Sequence, residues 1–474
     1  MNPSPRFAVV GHPNKGKSSV VATLSQNDRI AIALEPGTTR DHQEYPLTVD
    51  GRTLYTLIDT PGFQRPRRVL EWLQAHSHSA ADRPETVSAF VTQHQNDPQF
   101  HDECELLTPI IAGAGIIYVV DGSVPYSRAH EAEMTILRWT GRPSLALINR
   151  IGPDDHTATW QAALGQYFQI VRQFNAVTAR FDQHLSLLRA FGQLQPEWEQ
   201  PLERASQYLQ DERQHRRDES ARLITEALIS MVGWQELQTT ATVPDDSDRL
   251  RIESKLKDQW YAHQRQSEQS LRRSIERLYG HHRIVVDGDV LEQSDKDDLF
   301  SQASRDYWGV SRQYLATAGF GAGALGGVGI DALTLGHSFG AGALIGGLIG
   351  AAGSYFYGDR LLPKLSIGPL DGSLQQIRFG PILDPQFGYV VLGRAINHWW
   401  RVSERNHAGR DPVTLGPAED HWLERLTSAD RSRLQRLFDL ARRKREPDAK
   451  TRIQATAAVG SAMSAFGDWQ SSSG

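Results

Sequence analysis

The sequence predicts an α/β fold over its first 190 or so residues: a mainly parallel, doubly wound sheet with helices on both faces. A mostly α-helical half with a glycine-rich helical hairpin is expected to follow. Three observations lead there. Phe7-Ala-Val-Val-Gly11-His-Pro-Asn14-Lys-Gly16-Lys17-Ser18 is an apolar run, a glycine-bounded loop and the start of a helix, roughly Lys17 to Leu24. Three more apolar runs, Leu54–Ile58, Ile116–Asp121 and Leu145–Asn149, alternate with helical stretches, as buried parallel strands do. From Gln195 onward the composition becomes polar and helical, until the almost wholly apolar segment Tyr314–Gly358.

The first loop spells G-x-x-x-x-G-K-S, and each residue type has a mechanical reason. Gly11 and Gly16 let the backbone curl so that successive N–H groups point inward at a polyphosphate. Lys17 adds a fixed positive charge for the outer phosphates, and the Ser18 hydroxyl can ligate Mg²⁺. Asn14, Lys15 and Ser19 complete the nucleotide-binding set, and the helix offers its positive N-terminal end to the same anion. The second apolar run ends in Asp59-Thr60-Pro61-Gly62. Asp59 can hold Mg²⁺ through water, and the Gly62 N–H can sense a γ-phosphate. Strand, loop, helix and strand-end acid together predict nucleoside-triphosphate binding.

With Pro36-Gly37-Thr38-Thr39-Arg40-Asp41 between these motifs, the first part resembles the Era- and TrmE-type GTPases of the translation-factor class. The resemblance implies a G domain that hydrolyses GTP to GDP and phosphate with Mg²⁺. It assigns Thr39 to Mg²⁺ and the γ-phosphate, and Lys17, Thr39 and Gly62 to the catalytic set. The base-reading stretch departs from the family's N-K-x-D. Here it is Asn149-Arg150-Ile151-Gly152-Pro153-Asp154-Asp155. Asn149 is in place and Arg150 can stack on a base, but Gly152 stands where the Asp belongs, a loss of about 1.5–3 kcal/mol toward guanine. Asp154 or Asp155 remains as a substitute, and Asn175-Ala176 stands at the family's S-A-K loop. Phe63 occupies the place of a water-orienting Gln, with Gln64 one position out of register. Turnover is therefore expected to be slow without K⁺ or a partner. In the TrmE-like subgroup an Asn at position 14 coordinates K⁺ and the G domains pair face to face; the alternative is an Asn that caps its own turn.

Between Phe63 and Ile110 the second switch is longer than such a domain needs and reads as two or three helices. His76, His78, His94, His101 and Cys104 gather there. Only His101-x-x-Cys104 has ligand-like spacing, and a solvated helical face is the plainer reading. The single cysteine excludes an intrachain disulfide and suits a reducing compartment. A net charge of −5 and a pI near 6.4 argue against a protein that wraps nucleic acid. The first strand begins near Arg6, so a cytoplasmic G domain without a signal peptide is expected.

The expected layout is a G domain over 1–194 with its helical insertion at 63–110, and a charged helical region over 195–311. A glycine-rich apolar hairpin over 312–358, an α+β or helical region over 359–449 and a flexible tail over 450–474 complete it. The charged region carries apolar residues at helical spacing, Leu223-Ala227-Leu228-Met231 and Leu271-Ile275-Leu278, with Gly280 as a C-cap. Arg283–Gly288 and Gln375–Phe379 read as strands and Tyr389–Arg401 as a helix. Thr427-Ser-Ala-Asp430 opens another helix that ends in Arg442-Arg-Lys-Arg445. Gly319, Gly323 and Gly327, then Gly342, Gly346 and Gly350, recur every four residues in the two arms of 314–358. Such spacing permits close helix packing, either against membrane at the inner face or inside the helical half. This layout resembles a bacterial GTPase family whose C-terminal half has no known function. The reading is a GTP/GDP switch with a homodimer or an unknown protein as partner. The rival is a nucleotide-binding membrane scaffold or remodelling protein with little hydrolysis.

Overall fold

A computed structural model of the chain describes residues 4–25, 41–49, 51–176, 178–280, 365–370, 374–382, 384, 386–404 and 422–473. Thr39, the strand expected at 283–288 and the hairpin at 314–358 lie outside the described residues. The chain divides into two compact units. One comprises residues 1–214, 280–283 and 404–411, and the other 215–279, 284–403 and 412–474.

In the first unit six strands form one sheet: β1 (Arg6–Val10), β2 (Gln43–Val49), β3 (Arg52–Asp59), β4 (Gly115–Asp121), β5 (Ser144–Asn149) and β6 (Ile170–Gln173). Their order is β2-β3-β1-β4-β5-β6. All neighbours are parallel except β2 and β3, which form an antiparallel pair. Strand residues alternate between two buried faces, because side chains in a strand point alternately to either side. Phe7, Val9, Ile117, Val119, Leu145 and Leu147 face a core shared with α1 (Lys17–Ser25) and α7 (Phe181–Gly192). Ala8, Val10, Ile116, Tyr118, Ala146 and Ile148 face the opposite core, with α5 (Ala129–Trp139) and α6 (Thr157–Leu164). That double burial is why these strands read as continuous apolar runs.

The sequence between Phe63 and Ala114 forms three helices, α2 (Pro66–His76), α3 (Arg83–His94) and α4 (His101–Ile111). Val69, Leu73, Val87, Phe90, Leu106, Leu107 and Ile110 bury one face of this layer in the second core. The histidine and cysteine cluster does not assemble: among the described residues no group of three or more His, Cys, Asp or Glu side chains could hold a metal ion. Burial raises the Cys104 thiol to about 11, so it stays protonated.

The expected boundary at 194 falls short. α8 (Pro196–Gly233) places Trp198, Leu202, Ala205 and Leu209 in the first unit's core, and Trp198 stacks edge-on against Phe7 at 5.1 Å. The charged region is not wholly helical either. β7 (Glu236–Thr240) separates α8 from α9 (Asp246–Leu278) and pairs antiparallel with β9 (Gln375–Phe379), which also pairs with β8 (Leu365–Pro369). The partner of β7 lies far away in sequence, so local periodicity holds no sign of it. Gly280 adopts φ +74°, as a residue just past a helix end does.

α10 (Gln386–Ser403), α11 (Ser428–Arg442) and α12 (Ala449–Ser473) finish the second unit. Thr427 caps α11, its Oγ1 accepting the Asp430 N–H at 3.1 Å. The region expected to be a flexible tail is instead α12. Its Ala455, Ala458, Val459, Ala462, Met463, Phe466 and Trp469 are buried in the unit's core. Small residues let this helix pack closely: a Cβ at Gly467 would stand 2.8 Å from the Trp400 ring. Among the described residues no helix is long and apolar enough to cross a membrane.

Candidate nucleotide site

The loop between β1 and α1 lies at the C-terminal end of the strand on which the sheet's crossovers diverge, the usual ligand crevice of such folds. Three of its residues are in the left-handed region: Gly11 at φ +145°, Asn14 at φ +60° and Gly16 at φ +80°. A Cβ at Gly11 would stand 2.4 Å from the Val119 carbonyl oxygen, and one at Gly16 2.2 Å from Asn149 Nδ2. Both glycines are therefore required by space as well as by φ. Asn14 is exposed, and Asn tolerates left-handed backbone better than most other side chains.

Ser18 Oγ donates to Asp59 Oδ2 at 2.8 Å. This joins the helix start to the end of β3 and brings together two oxygens of the kind Mg²⁺ takes as ligands or through water. The donor set fits that ion. Lys17 is buried, and its ammonium donates to the His12 carbonyl oxygen at 3.2 Å. Burial pulls its pKa down, while the carboxylates of Asp59, Glu133 and Asp102 oppose the shift. Ser19 sits in the first turn of α1. Lys15 Nζ lies 3.8 Å from Asp121 Oδ2, at the end of β4.

Gly62 packs on the loop so tightly that a Cβ there would be 2.6 Å from the Pro13 nitrogen. The following Phe63 donates its N–H to the Gly11 carbonyl at 3.3 Å. Its ring is fully buried among the residues of α2 to α4. Phe63 is thus a core anchor for the helical insertion, and the exposed Gln64 side chain is the polar group next to it.

At the base-reading end, Asn149 acts between loops. Its Nδ2 donates to the Lys15 carbonyl at 3.3 Å and its Oδ1 accepts the Ala176 N–H at 3.1 Å. Asn175 Nδ2 donates to the Arg150 carbonyl at 3.0 Å, and Thr23 Oγ1 to the Ala176 carbonyl at 2.7 Å. The Arg150 guanidinium pairs with Asp155 at 3.1 Å in solvent. Asp155 also accepts the Thr157 N–H at the start of α6. Exposed Asp154, beside it, has no hydrogen bond among the described residues. At Gly152 a Cβ would meet Ser123 Oγ at 3.0 Å.

Sequence reasoning missed several residues. Glu133 is buried and accepts from Tyr118 Oη at 2.9 Å; its other oxygen lies 2.9 Å from His12 Nδ1 in the loop. Asp121 Oδ1 accepts from Ser123 N and Oγ at 2.9 and 2.6 Å. Glu103 and Glu105 of α4 hold residues beside both switch motifs, and His101, which its spacing offered only as a metal ligand, faces Asp41 instead. All these partners lie at least 15 positions apart or in a loop with no motif of its own, so nothing local marks them.

Residues 6–150 match the family described as 50S ribosome-binding GTPase. Together with the loop and the sheet around it, this defines the first unit as a P-loop GTPase domain. Residues 161–464 match the family described as Domain of unknown function (DUF3482), and the chain, more than half of which is covered, belongs to that family. A stretch of 77 residues is 44% identical to GTPase Der of Mycoplasma pneumoniae, covering 16% of this chain and 17% of that protein. Over 72 residues the identity to GTPase Der of Herminiimonas arsenicoxydans is 47%, with coverages of 15% and 16%. The chain thus spans about a sixth of the length of the curated relatives it matches. A crystal structure of an Era variant from Aquifex aeolicus bound to GDP·AlF4⁻ overlays at TM-score 0.26 and 16% identity, covering 51% of this chain and 74% of that one. Era in complex with MgGDPNP and nucleotides 1506–1542 of 16S ribosomal RNA overlays at TM-score 0.26 and 15% identity, over 52% and 74%.

Proposed function

We propose that the chain is a GTP-dependent switch that hydrolyses GTP to GDP and phosphate, with the helical unit reading out the nucleotide state. The observation that carries this is the Ser18–Asp59 contact at 2.8 Å beside the curled loop. Loop N–H groups and Lys17 hold the phosphates, and Gly62, resting on Pro13, is placed to register loss of the γ-phosphate. Ser18 and Asp59, with Thr39 by resemblance, would hold Mg²⁺, which when bound supplies positive charge at the β- and γ-phosphate oxygens.

Burial of Phe63 leaves no polar side chain at the usual water-orienting position. Unassisted turnover near the Ras-like scale of about 10⁻⁴ to 10⁻³ s⁻¹ is expected. K⁺ held near Asn14 by paired G domains is one source of the missing charge, a partner protein another. Contact of residues 314–358 with the inner face of a membrane is the proposed site of readout.

Calorimetry and steady-state phosphate release test the reading. GTP should bind more tightly than ATP, by a smaller margin than in a domain with an intact N-K-x-D. Lys17→Ala should weaken GTP binding by about tenfold to a hundredfold, the worth of a hydrogen bond to a charged group. Phosphate release should rise in KCl over NaCl at matched ionic strength and with protein concentration. Equal GTP and ATP affinities, or undiminished binding by the Lys17 variant, would overturn the site. Equal rates in the two salts at every protein concentration would remove K⁺.

A further inference from the structure

One helix of the insertion, α4, follows both switch motifs in sequence and holds residues beside each of them. Residues four apart share a helix face while those two apart do not, and α4 uses this. On one side, Glu105 Oε2 accepts the His42 N–H at 3.1 Å and lies 2.6 Å from His42 Nδ1. One turn earlier, His101 Nε2 stands 3.2 Å from Asp41 Oδ1. Asp41 and His42 lead into β2, two and three residues after Thr39 in sequence. On the other side, Glu103 Oε1 accepts the Gln64 N–H at 2.9 Å and also that of Arg65. These two amides follow Gly62 and Phe63 directly.

Glu103 has no exposed surface. Burial raises its pKa, against the two backbone N–H groups that favour its charged form. A carboxylate so placed depends on those donors. If residues 64 and 65 pull away, it loses both donors, which is costly for as long as it stays out of water. α4 itself cannot easily follow, since it packs on α3 and β1 and buries Leu106, Leu107 and Ile110 in the core.

We propose that α4 is a two-sided clamp coupling the two switch segments, with Glu103 as the positioning residue that fixes Gly62 over the loop. Glu105 and His101 transmit its position to residues 41 and 42. The proposal rests on the GTP-switch reading above. In it, the insertion is the switch mechanism's own connector: a change at Gly62 is felt at the entry to β2 through one rigid helix.

The test uses the full-length chain. Affinities for GDP and for a non-hydrolysable GTP analogue are measured for wild type, Glu103→Ala, Glu103→Gln and Glu105→Ala. Glu103→Ala should lower the ratio of analogue to GDP affinity at least about fivefold, the lower end of typical coupling between sites, with GDP affinity changed less than about twofold. Glu103→Gln keeps an acceptor oxygen and should recover most of the ratio, which a merely structural role would not require. Hydrogen exchange should show the amides of Gln64 and Arg65 opening in Glu103→Ala, and that of His42 with them. An unchanged ratio in both alanine variants, or a His42 amide indifferent to Glu103→Ala, would overturn the clamp. Should Glu103→Ala fail to fold, Glu105→Ala and His42→Ala, at partly exposed positions, carry the same comparison. If the wild type binds neither guanine nucleotide, the GTP reading fails instead, and coupled exchange at residues 42, 64 and 65 still decides whether α4 links them.

Discussion

Asn149 has a structural role that its motif does not announce. By its place in the sequence it belongs to the base-reading set. In the structure it spends both polar ends on protein, tying the Lys15 carbonyl to the Ala176 N–H. Removing it leaves a buried N–H unsatisfied, a penalty of about 1–3 kcal/mol. Asn149→Ala should therefore lower the urea midpoint of the first unit and weaken guanine and adenine nucleotides alike, as paired unfolding and binding curves would show. The same tertiary context decides the loop carboxylates. Asp155 accepts from Thr157 and pairs with Arg150 in solvent, contacts that Asp154 lacks among the described residues.

Among the elements, α12 and β7 are those the sequence misread, for opposite reasons. α12 is built of Ala, Gly and Ser, and such residues carry little apolar signal of their own. Its burial depends on neighbours, and Phe466 and Trp469 are among the few side chains that anchor it. Deleting residues 449–474 should open the second unit's core and cost the cooperative thermal transition of that unit, measured by calorimetric scanning; an unchanged transition would show the helix to be peripheral. α9 and α10 enclose a second testable feature. His398 of α10 lies 3.4 Å from Glu276 Oε1. Burial first, and then the charge of Arg272, push its imidazole down to about 3 from an ordinary 6.5. Between those values the unfolded chain takes up a proton that the folded one refuses. Stability from this group is thus complete above about pH 6.5 and falls as pH is lowered through the window. His398→Gln should flatten the urea midpoint between about pH 7.5 and 5, with the wild type showing the steeper loss.

At the scale of the whole molecule, the two units have different standing. The first holds a P-loop GTPase domain enlarged by a helical insertion, and the match that gives the chain its family, 161–464, begins in the first unit and covers most of the second. The proposed readout of the nucleotide state rests on residues 314–358, the segment proposed to meet membrane. Flotation with anionic liposomes in GTP-analogue, GDP and nucleotide-free states tests that directly. Membrane readout predicts flotation in one nucleotide state and not the others. Protein that stays at the bottom of the gradient in all three would assign the glycine-spaced arms to packing within the helical half.

The phosphate loop, Asp59, Gly62 and the alternating strands of the first unit were legible in the amino-acid sequence. Their chemistry is local: a loop that must curl needs glycines at fixed spacing, and a strand buried on both faces must be apolar throughout. The clamp formed by α4, the bridging role of Asn149, the core position of Phe63 and the pairing of β7 with β9 were decided only by the tertiary structure. Each depends on which distant segments the fold brings within hydrogen-bonding or packing distance. Glu103 and Glu105 are two ordinary acids in a helix until residues 64, 65 and 42 are folded against them.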